Sequence, residues 1–513
     1  MSKLIHAEGP LGPGSRLLLA LAGAACWVLA LPSAGLWGLA PLAPAALALA
    51  SSGVGLVARM GLGYAFGAMA AYGIWGFMFE VPGFELQHSA VLAVYLGAYP
   101  AAFAALLPLL RRSRLPFAWG AAALWTALDV LRAHAGFLAF PWGTLGLSQV
   151  PDLPLLQTAS VLGEEGVTFL VVLLGASLAE AVTKRRLRPL APPAAVILAA
   201  SAFGAWRLAG EERGATVRVA AVQPAILREE RATRDGELAT LRRLETLTRE
   251  AATGSPALIV WPETAVRSLT ERSDLFEGVQ GLARETGATM VVGASRSEKF
   301  PSESSSDGTS GFRLRQTNLA VIFRPDAAPP ETYDKSLLVP FAEYLPAPGF
   351  PWPSWLVGKS FDVVPGEGPG LFRLADGTPF APLICWENLF SGFVRRSAAG
   401  GARLLVQLTN DNWFGRTAAP LQHDAASVLR AVENGLPVVV SSNTGPSLVA
   451  DAKGRILARA PLVFEAAVVA AAVVPGRAET PFARGGWRFG AAASALAAAA
   501  VLDGWRRRGD IAR

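Results

Sequence analysis

The water-soluble half of the chain holds one cysteine, Cys385 in APLICWENLF, preceded at wide spacing by Glu263 in IVWPETAV and Lys335 in TYDKSLL. A thiolate is a working nucleophile, a carboxylate can take the thiol proton, and an ammonium can lower the thiol pKa and hold a developing oxyanion. Together these residue types point to a thiol acyl-enzyme, so function turns on what delivers the acyl group. Cys385 ends an apolar run and WENLFSGFVRRSA follows it, which reads as a turn entering a helix. A sulfur near a helix N-terminus is predicted to have a depressed pKa.

The elements that must position these groups lie between about Gly214 and Ala478, where short β-rich apolar runs alternate with amphipathic stretches. That is the pattern of an α/β or α+β domain. Strands are predicted at VRVAAVQ from Val217, ALIVWPE from Ala257, TMVVGA from Thr289, NLAVIF from Asn318, APLICWE from Ala381, RLLVQLTN from Arg403 and PVVVSSN from Pro437. GELATLRRLETLTREAA and HDAASVLRAVENG carry apolar residues at helical spacing. Each of the three chemical residues falls at the C-terminal edge of a strand or in the loop after it, where α/β architectures converge their active groups.

Outside this segment the chain is apolar. Its 513 residues are 52% hydrophobic, and a mean hydropathy of +0.37 marks a membrane protein. Stretches long enough to cross a bilayer run near Leu17–Leu31, Leu36–Ala58, Met60–Phe79, Ala90–Leu110, Phe117–Ala133, Gly166–Val182, Pro189–Leu208 and Phe489–Val501, about eight spans. The first also fits a signal peptide with LPSAG as its cleavage zone, although a second apolar stretch follows almost at once. The predicted organisation is a transmembrane bundle over 1–213, a soluble catalytic domain over 214–478, and a last span with its tail over 479–513.

Basic residues mark the cytoplasmic loops: Arg111, Arg112 and Arg114, then Lys184, Arg185, Arg186 and Arg188, then Arg506, Arg507 and Arg508. The alternation puts both termini inside and the long soluble segment outside. A net charge of +6 without a basic stripe interleaved with aromatics argues against nucleic acid. Outside the cytoplasm thiols tend to end in disulfides, so the unpartnered Cys385 reads as reactive. Cys26 lies in the first span and reads as a small hydrophobe. The four histidines form no HExxH pattern and the two cysteines no CxxC, so no metal and no cofactor is expected. A GxSxG serine elbow is also absent. GVGLVA at Gly53 lies in an apolar stretch, where small residues suit helix packing better than a dinucleotide. PSESSSDGTSG from Pro301 reads as a solvated loop, and Asp129 with Arg132 as a polar pair near the outer end of the fifth span.

These motifs, taken in order, carry a resemblance. VQP at Val222, WPETA at Trp261, DKSLLVPFAEYLP at Asp334, CWENLF at Cys385, TNDNWFG at Thr409 and RAVENGLP at Arg430 resemble the nitrilase superfamily, with its Glu, Lys and Cys triad. A nitrilase-like domain set before the last of eight spans resembles the membrane-embedded apolipoprotein N-acyltransferase family of bacteria. The likeness implies an αββα sandwich for the soluble domain and catalysis at the outer face of the inner membrane. Glu263 is implied as general base, Cys385 as nucleophile and Lys335 as oxyanion partner, aided by backbone N–H groups near Trp386. The implied donor is the sn-1 chain of a phospholipid such as phosphatidylethanolamine, and the implied acceptor is the α-amine of an apolipoprotein's diacylglyceryl-cysteine. The transfer would be ping-pong through a thioester, in a monomer.

The family pattern also implies Glu343 and Glu387 in or beside the site. Read from the chain alone, Glu343 has an exposed loop charge as its lesser alternative, while for Glu387 a first-turn acid favoured by the helix dipole fits as well as a catalytic role. Trp386 stands where the family usually has tyrosine, which suits packing or lipid contact. The loop PAILREER lacks a tryptophan common in the family. After Glu343, Phe350, Trp352, Trp355, Leu356 and Phe361 sit among prolines, either as an arm dipping into the membrane interface or as a stiff loop packed on its own domain. Trp413 and Phe414 read as the lining of an acyl channel or as core. Two rival functions remain at this level: a membrane-tethered amidohydrolase that uses water as acceptor, and a transporter or receptor with an inert sensor domain. The second is disfavoured by spans nearly free of ionisable residues.

Overall fold

The apolar stretches form helices in the computed structural model, which describes residues 11–230, 233–267, 269–301, 312–326, 328–347, 349–356, 362–461 and 463–510. The chain divides into two compact units, one of Met1–Ala135, Ala139–Trp206 and Arg488–Arg513, the other of Gly136–Leu138 and Arg207–Trp487.

The first unit begins with α1 (Pro13–Ala30), α2 (Leu42–Ala50), α3 (Leu56–Trp75), α4 (Leu86–Arg112), α5 (Phe117–Ala133), α6 (Leu153–Leu156), α7 (Ala159–Lys184) and α8 (Ala191–Ala209). Among the described residues five stretches are long and apolar enough to cross a membrane: Pro13–Ala30, Leu56–Glu80, Leu86–Arg112, Ala159–Lys184 and Arg188–Ala209. The expected continuous span Leu36–Ala58 is broken. The one α-helix that lies wholly within it, α2, has 9 residues, or about 13 Å at 1.5 Å per residue, well short of a hydrocarbon core. The break has local causes. Gly53 takes the left-handed conformation at φ +72, and the Arg16 guanidinium reaches from α1 to donate to the carbonyls of Ala50 at 2.8 Å and Ser52 at 2.6 Å. Those bonds satisfy acceptors that a continuing helix would have used. Gly53 thus serves a turn rather than the helix packing its sequence suggested. Close packing falls instead to Gly63 of α3, where an added Cβ would lie 2.4 Å from Ala101 Cα of α4.

The second unit is built on two sheets. One has seven strands: β1 (Val217–Gln223), β2 (Leu258–Arg267), β3 (Thr289–Pro301), β4 (Phe312–Phe323), β5 (Glu331–Asp334), β6 (Asp362–Val363) and β13 (Ala467–Val473), in the order β13-β1-β2-β3-β4-β5 with β6 beside β4. The other has β7 (Phe372–Arg373), β8 (Pro379–Ile384), β9 (Leu405–Thr409), β10 (Val438–Ser442), β11 (Leu448–Ala450) and β12 (Ile456–Arg459), in the order β12-β11-β10-β9-β8-β7. Period-two alternation sorts the side chains. Val219, Leu258, Val260, Phe380, Val406 and Val439 fill the space between the sheets. Val222, Ile259, Trp261 and Val292 face outward, against Leu244 and Leu247 of α9 (Arg234–Ala252) and Val279 and Leu282 of α10 (Ser273–Thr286). Helices α11 (Ser391–Ala399) and α12 (Ala419–Asn434) cover the second sheet, giving four αββα layers.

All seven expected strands are present. Two of them, β3 and β4, run on as a long antiparallel ladder whose outer half is polar and carried no alternation signal. The solvated loop expected from Pro301 falls largely on residues 302–311, outside the described residues. The edge strand β13, antiparallel to β1, was not foreseen, nor was α10, although its end at Gly287 with φ +69 is an ordinary glycine stop. A four-residue helix α13 (Pro481–Arg484) precedes α14 (Phe489–Asp510), which returns the chain to the first unit.

Candidate active site

Glu263 lies on β2 where its parallel pairing with β3 shifts register between Trp261 and Val266. The irregularity frees the carboxylate from the ladder, and Thr264 beside it takes φ +49. Lys335 follows β5 directly. Its N–H donates to the Asn318 carbonyl at 2.8 Å, so the lysine backbone is held as an extension of the β4–β5 pairing. Cys385 follows β8 and opens a tight turn of five residues, Cys385–Leu389. The nucleophile itself sits at φ +54, a left-handed conformation that costs an ordinary L-residue about 1–2 kcal/mol. A sharp strand-to-turn corner of this kind presents the side chain while withdrawing its backbone.

The structure brings the three together. Lys335 Nζ lies 3.9 Å from Glu263 Oε1 and 2.8 Å from Glu343 Oε1. Lys335 is 1% exposed and Glu263 6%. Glu343 is fixed in turn by the Val339 N–H, which donates to its Oε2 at 2.7 Å. Burial disfavours the lysine ammonium, but the negative charge that Cys385, Glu343 and Glu263 can carry around it outweighs burial and raises the Lys335 pKa. Burial raises the Glu263 pKa, against the opposing pull of Lys335.

The expected depression of the Cys385 pKa is overturned. Burial pushes the thiol well up, Glu263 adds to the rise, and Lys335 only partly opposes it. The sequence showed the turn but not that the sulfur would be partly desolvated beside a carboxylate. The shift favours the thiol over a standing thiolate, so its proton has to pass to a base as the sulfur attacks.

Glu387 is buried at 0% exposure and accepts four hydrogen bonds. Its Oε1 takes Ser336 N–H at 2.7 Å and Leu337 N–H at 3.1 Å; its Oε2 takes Ile384 N–H at 2.8 Å and Tyr333 O–H at 2.8 Å. These donors flank Lys335 on one side and Cys385 on the other. The carboxylate clamps the two loops together, and as the first-turn acid of Cys385–Leu389 its bond from the Ile384 N–H also caps that turn. Trp386 donates its Nε1–H to the Leu337 carbonyl at 2.6 Å and packs on Phe390 at 5.1 Å, tightening the same junction.

Residues outside the motif reading complete the site. Asn318 donates to Glu263 Oε1 at 2.7 Å. The Cys385 carbonyl accepts from Gln407 Nε2 at 2.7 Å, and His423 Nε2 lies 3.1 Å from it. His423 Nδ1 is 3.0 Å from Asp411 Oδ1. A carbonyl and a carboxylate both accept, so these two contacts suit a ring that donates from both nitrogens. Burial opposes the charge such a ring carries and Asp411 outweighs it, leaving the His423 pKa raised. TNDNWFG, which contains Asp411, and the helical HDAASVLRAVENG, which begins at His423, were the signals available; only their meeting in space gives them a task.

The aromatic loop divides. Trp352 donates Nε1–H to the Pro346 carbonyl at 2.8 Å and packs on Phe350, Phe341 and Phe137 at 4.5, 5.1 and 6.1 Å. Trp355 is 46% and Phe350 57% exposed, while Phe361 lies outside the described residues. Trp413 is 42% exposed with the Arg228 guanidinium 4.4 Å over its ring, and its neighbour Phe414 ends the same short turn, Asp411–Phe414. In the other unit Asp129 and Arg132 do pair, at 3.2 Å.

Comparison with known proteins sets this geometry in context. The family model described as Carbon-nitrogen hydrolase matches residues 218–480, and that described as Apolipoprotein N-acyltransferase N-terminal domain matches residues 23–177. The apolipoprotein N-acyltransferase of Geobacter metallireducens is 33% identical over 430 residues, 82% of this chain and 80% of the relative. That of Allorhizobium ampelinum is 31% identical over 524 residues, 95% of this chain and 96% of the relative. Among solved structures, an amidase of the nitrilase superfamily from Nesterenkonia AN1 is 19% identical with a TM-score of 0.38, covering 53% of this chain and 95% of its own.

Proposed function

This chain belongs to the apolipoprotein N-acyltransferase family, with a nitrilase-superfamily fold in its C-terminal part, and from that premise we propose that it moves the sn-1 acyl chain of a phospholipid to the α-amine of a diacylglyceryl-cysteine through a thioester on Cys385. The chain is a membrane acyltransferase enzyme. The observation that carries the finer reading is the meeting of Cys385 with Glu263 and the charged Lys335 in a buried cluster.

In the proposed first half-reaction Glu263 takes the Cys385 proton as the sulfur attacks the donor ester carbonyl. The oxyanion forms beside the Lys335 ammonium, supported by backbone N–H groups of the turn after Cys385. Collapse expels the lysophospholipid alkoxide, which recovers the proton from Glu263. In the second half the acceptor amine attacks the thioester and gives its proton to Glu263, and the departing thiolate takes that proton back. A raised thiol pKa suits proton transfer to Glu263 during the attack rather than a standing thiolate, which also slows oxidation of a lone cysteine.

Glu343 keeps the lysine charged; Glu387 and Trp386 hold the two loops in place. Trp355 and the aromatic loop are proposed to meet lipid, and Trp413 with Phe414 the acyl chain. The proposed setting is the bacterial inner membrane, with residues 214–478 as the catalytic domain on the periplasmic side, both termini in the cytoplasm and a phosphatidylethanolamine-like donor for a monomeric enzyme. The basic loops support that orientation.

Intact mass of the purified protein after incubation with phosphatidylethanolamine tests the mechanism against a Cys385→Ala control. A hydroxylamine-sensitive gain of one acyl chain, lost in the control, is expected. Lipoprotein acylation without any trapped thioester, or release of the chain to water as free fatty acid, overturns it.

A further inference from the structure

The first unit holds a basic cavity that the chemistry above does not use. It has a volume of about 360 Å³ and is lined by the N-terminal turn of α5, one face of α7 near its end, and the chain entering α8. Lys184, Arg186 and Arg188 supply three cations against one carboxylate, Glu180, and Glu180 is already paired with Lys184 one turn away on the same helix. Among the described residues no ion pair satisfies Arg186 or Arg188. They are brought back to Lys184 because Arg185 takes φ +51 at the end of α7, reversing the chain while the Arg186 N–H bonds the Ala181 carbonyl.

A second observation points into the same space. Ser177 lines the cavity on the Glu180 face of α7, is 1% exposed, and its hydroxyl has no hydrogen-bond partner. A buried hydroxyl in a helix ordinarily bonds the carbonyl one turn back, and leaving it unpaired is costly. Here it is a spare donor at the wall of a cation-lined hollow. The rest of the lining is apolar: Trp119 and the prolines that open α5 and α8. Beside it, Val182 is 62% and Leu187 78% exposed, surfaces suited to hydrocarbon.

We infer that this cavity binds the phosphate of an anionic phospholipid headgroup, with Arg186, Arg188 and Ser177 donating to the phosphate oxygens and the acyl chains lying on the apolar flank. A phosphodiester with no ammonium of its own suits an excess of cations better than a zwitterionic headgroup does. Free phosphate would satisfy the cations but would leave the apolar flank bare. The site is separate from the Cys385 cluster, so it stands or falls without the acyl-transfer reading.

The test is native mass spectrometry of the full-length protein released from nanodiscs of phosphatidylethanolamine with phosphatidylglycerol, comparing the unaltered chain with Arg186→Gln/Arg188→Gln and with Ser177→Ala. Each cation near an anionic lipid is worth about fivefold in affinity, so roughly 30-fold weaker phosphatidylglycerol retention is expected for the double variant. A smaller loss is expected for Ser177→Ala, which keeps every charge, with phosphatidylethanolamine retention unchanged in both. Equal phosphatidylglycerol retention by the unaltered chain and the double variant overturns the site and leaves the arginines as topological charges. Displacement of the lipid by millimolar inorganic phosphate overturns the lipid as its occupant.

Discussion

Glu387→Gln tests whether that residue is a clamp. The carboxylate accepts from Ser336, Leu337 and Ile384 N–H groups and from the Tyr333 hydroxyl. A glutamine can present its carbonyl to Ser336 and Leu337, which turns its amide NH₂ toward Ile384 and Tyr333. The tyrosine hydroxyl can rotate and accept, but the Ile384 N–H cannot. One buried donor is then orphaned, at about 1–3 kcal/mol. Burial holds the Glu387 pKa above its ordinary value despite the four donors, so the neutral amide recovers part of that cost. The net expectation is about 1–2 kcal/mol, or roughly 2–8 °C in Tm for a unit of this size. Ile384 immediately precedes Cys385, and Ser336 and Leu337 follow Lys335, so relaxation at the clamp also moves the nucleophile against its oxyanion partner. A shift of about 1 Å lowers kcat by roughly 100-fold. The assay is N-acylation of a diacylglyceryl-cysteine peptide from phosphatidylethanolamine, with thermal unfolding in the same detergent. Unchanged kcat and Tm would refute the clamp. A fall in kcat with Tm unmoved would also refute it, by assigning Glu387 a chemical step of its own.

Four further outcomes follow from the site. Glu263 must be ionised to act as base and its pKa is raised by burial, so kcat/KM should fall as pH drops through a value above the usual 4.5; an acid limb below that would show that another group is the base. Cys385→Gly and Cys385→Ala should both be inactive. At φ +54 glycine relieves strain that alanine keeps, and denaturant unfolding should find the glycine variant about 1 kcal/mol more stable; equal stabilities would show an unstrained corner. Trp355→Ser should leave Tm within about 1 °C while raising the KM for lipid roughly tenfold, the equivalent of about 1.4 kcal/mol of lost apolar contact. Trp352→Ser, which empties a packed aromatic cluster, should lower Tm by several degrees, as large-to-small changes in packed clusters do; the reverse pattern would exchange their roles.

Much of the architecture was legible because its signals are local. Unbroken apolar length marks membrane helices, and short β-rich runs mark the strands of both sheets. Residue type alone nominates a thiol, a carboxylate and an amine, since few side chains can perform acyl transfer. What stayed hidden is what burial and distant neighbours decide. The β3–β4 ladder continues through polar residues because each strand pairs with the other, which no window along the chain reveals. The break before Gly53 depends on Arg16, far off in sequence, capping the end of α2. Asn318, Gln407, Asp411 and His423 acquire their tasks only where separate strands, a turn and a helix converge on Glu263 and on the Cys385 carbonyl. The thiol shows the difference most plainly. The turn after Cys385 predicted a lowered pKa, but a helix terminus supplies a partial charge at most, whereas desolvation of the partly buried sulfur and the Glu263 carboxylate near it both disfavour a thiolate. Sequence determined which groups are available for chemistry, and the tertiary structure determined their protonation and alignment, because both depend on how much solvent remains and which charges replace it.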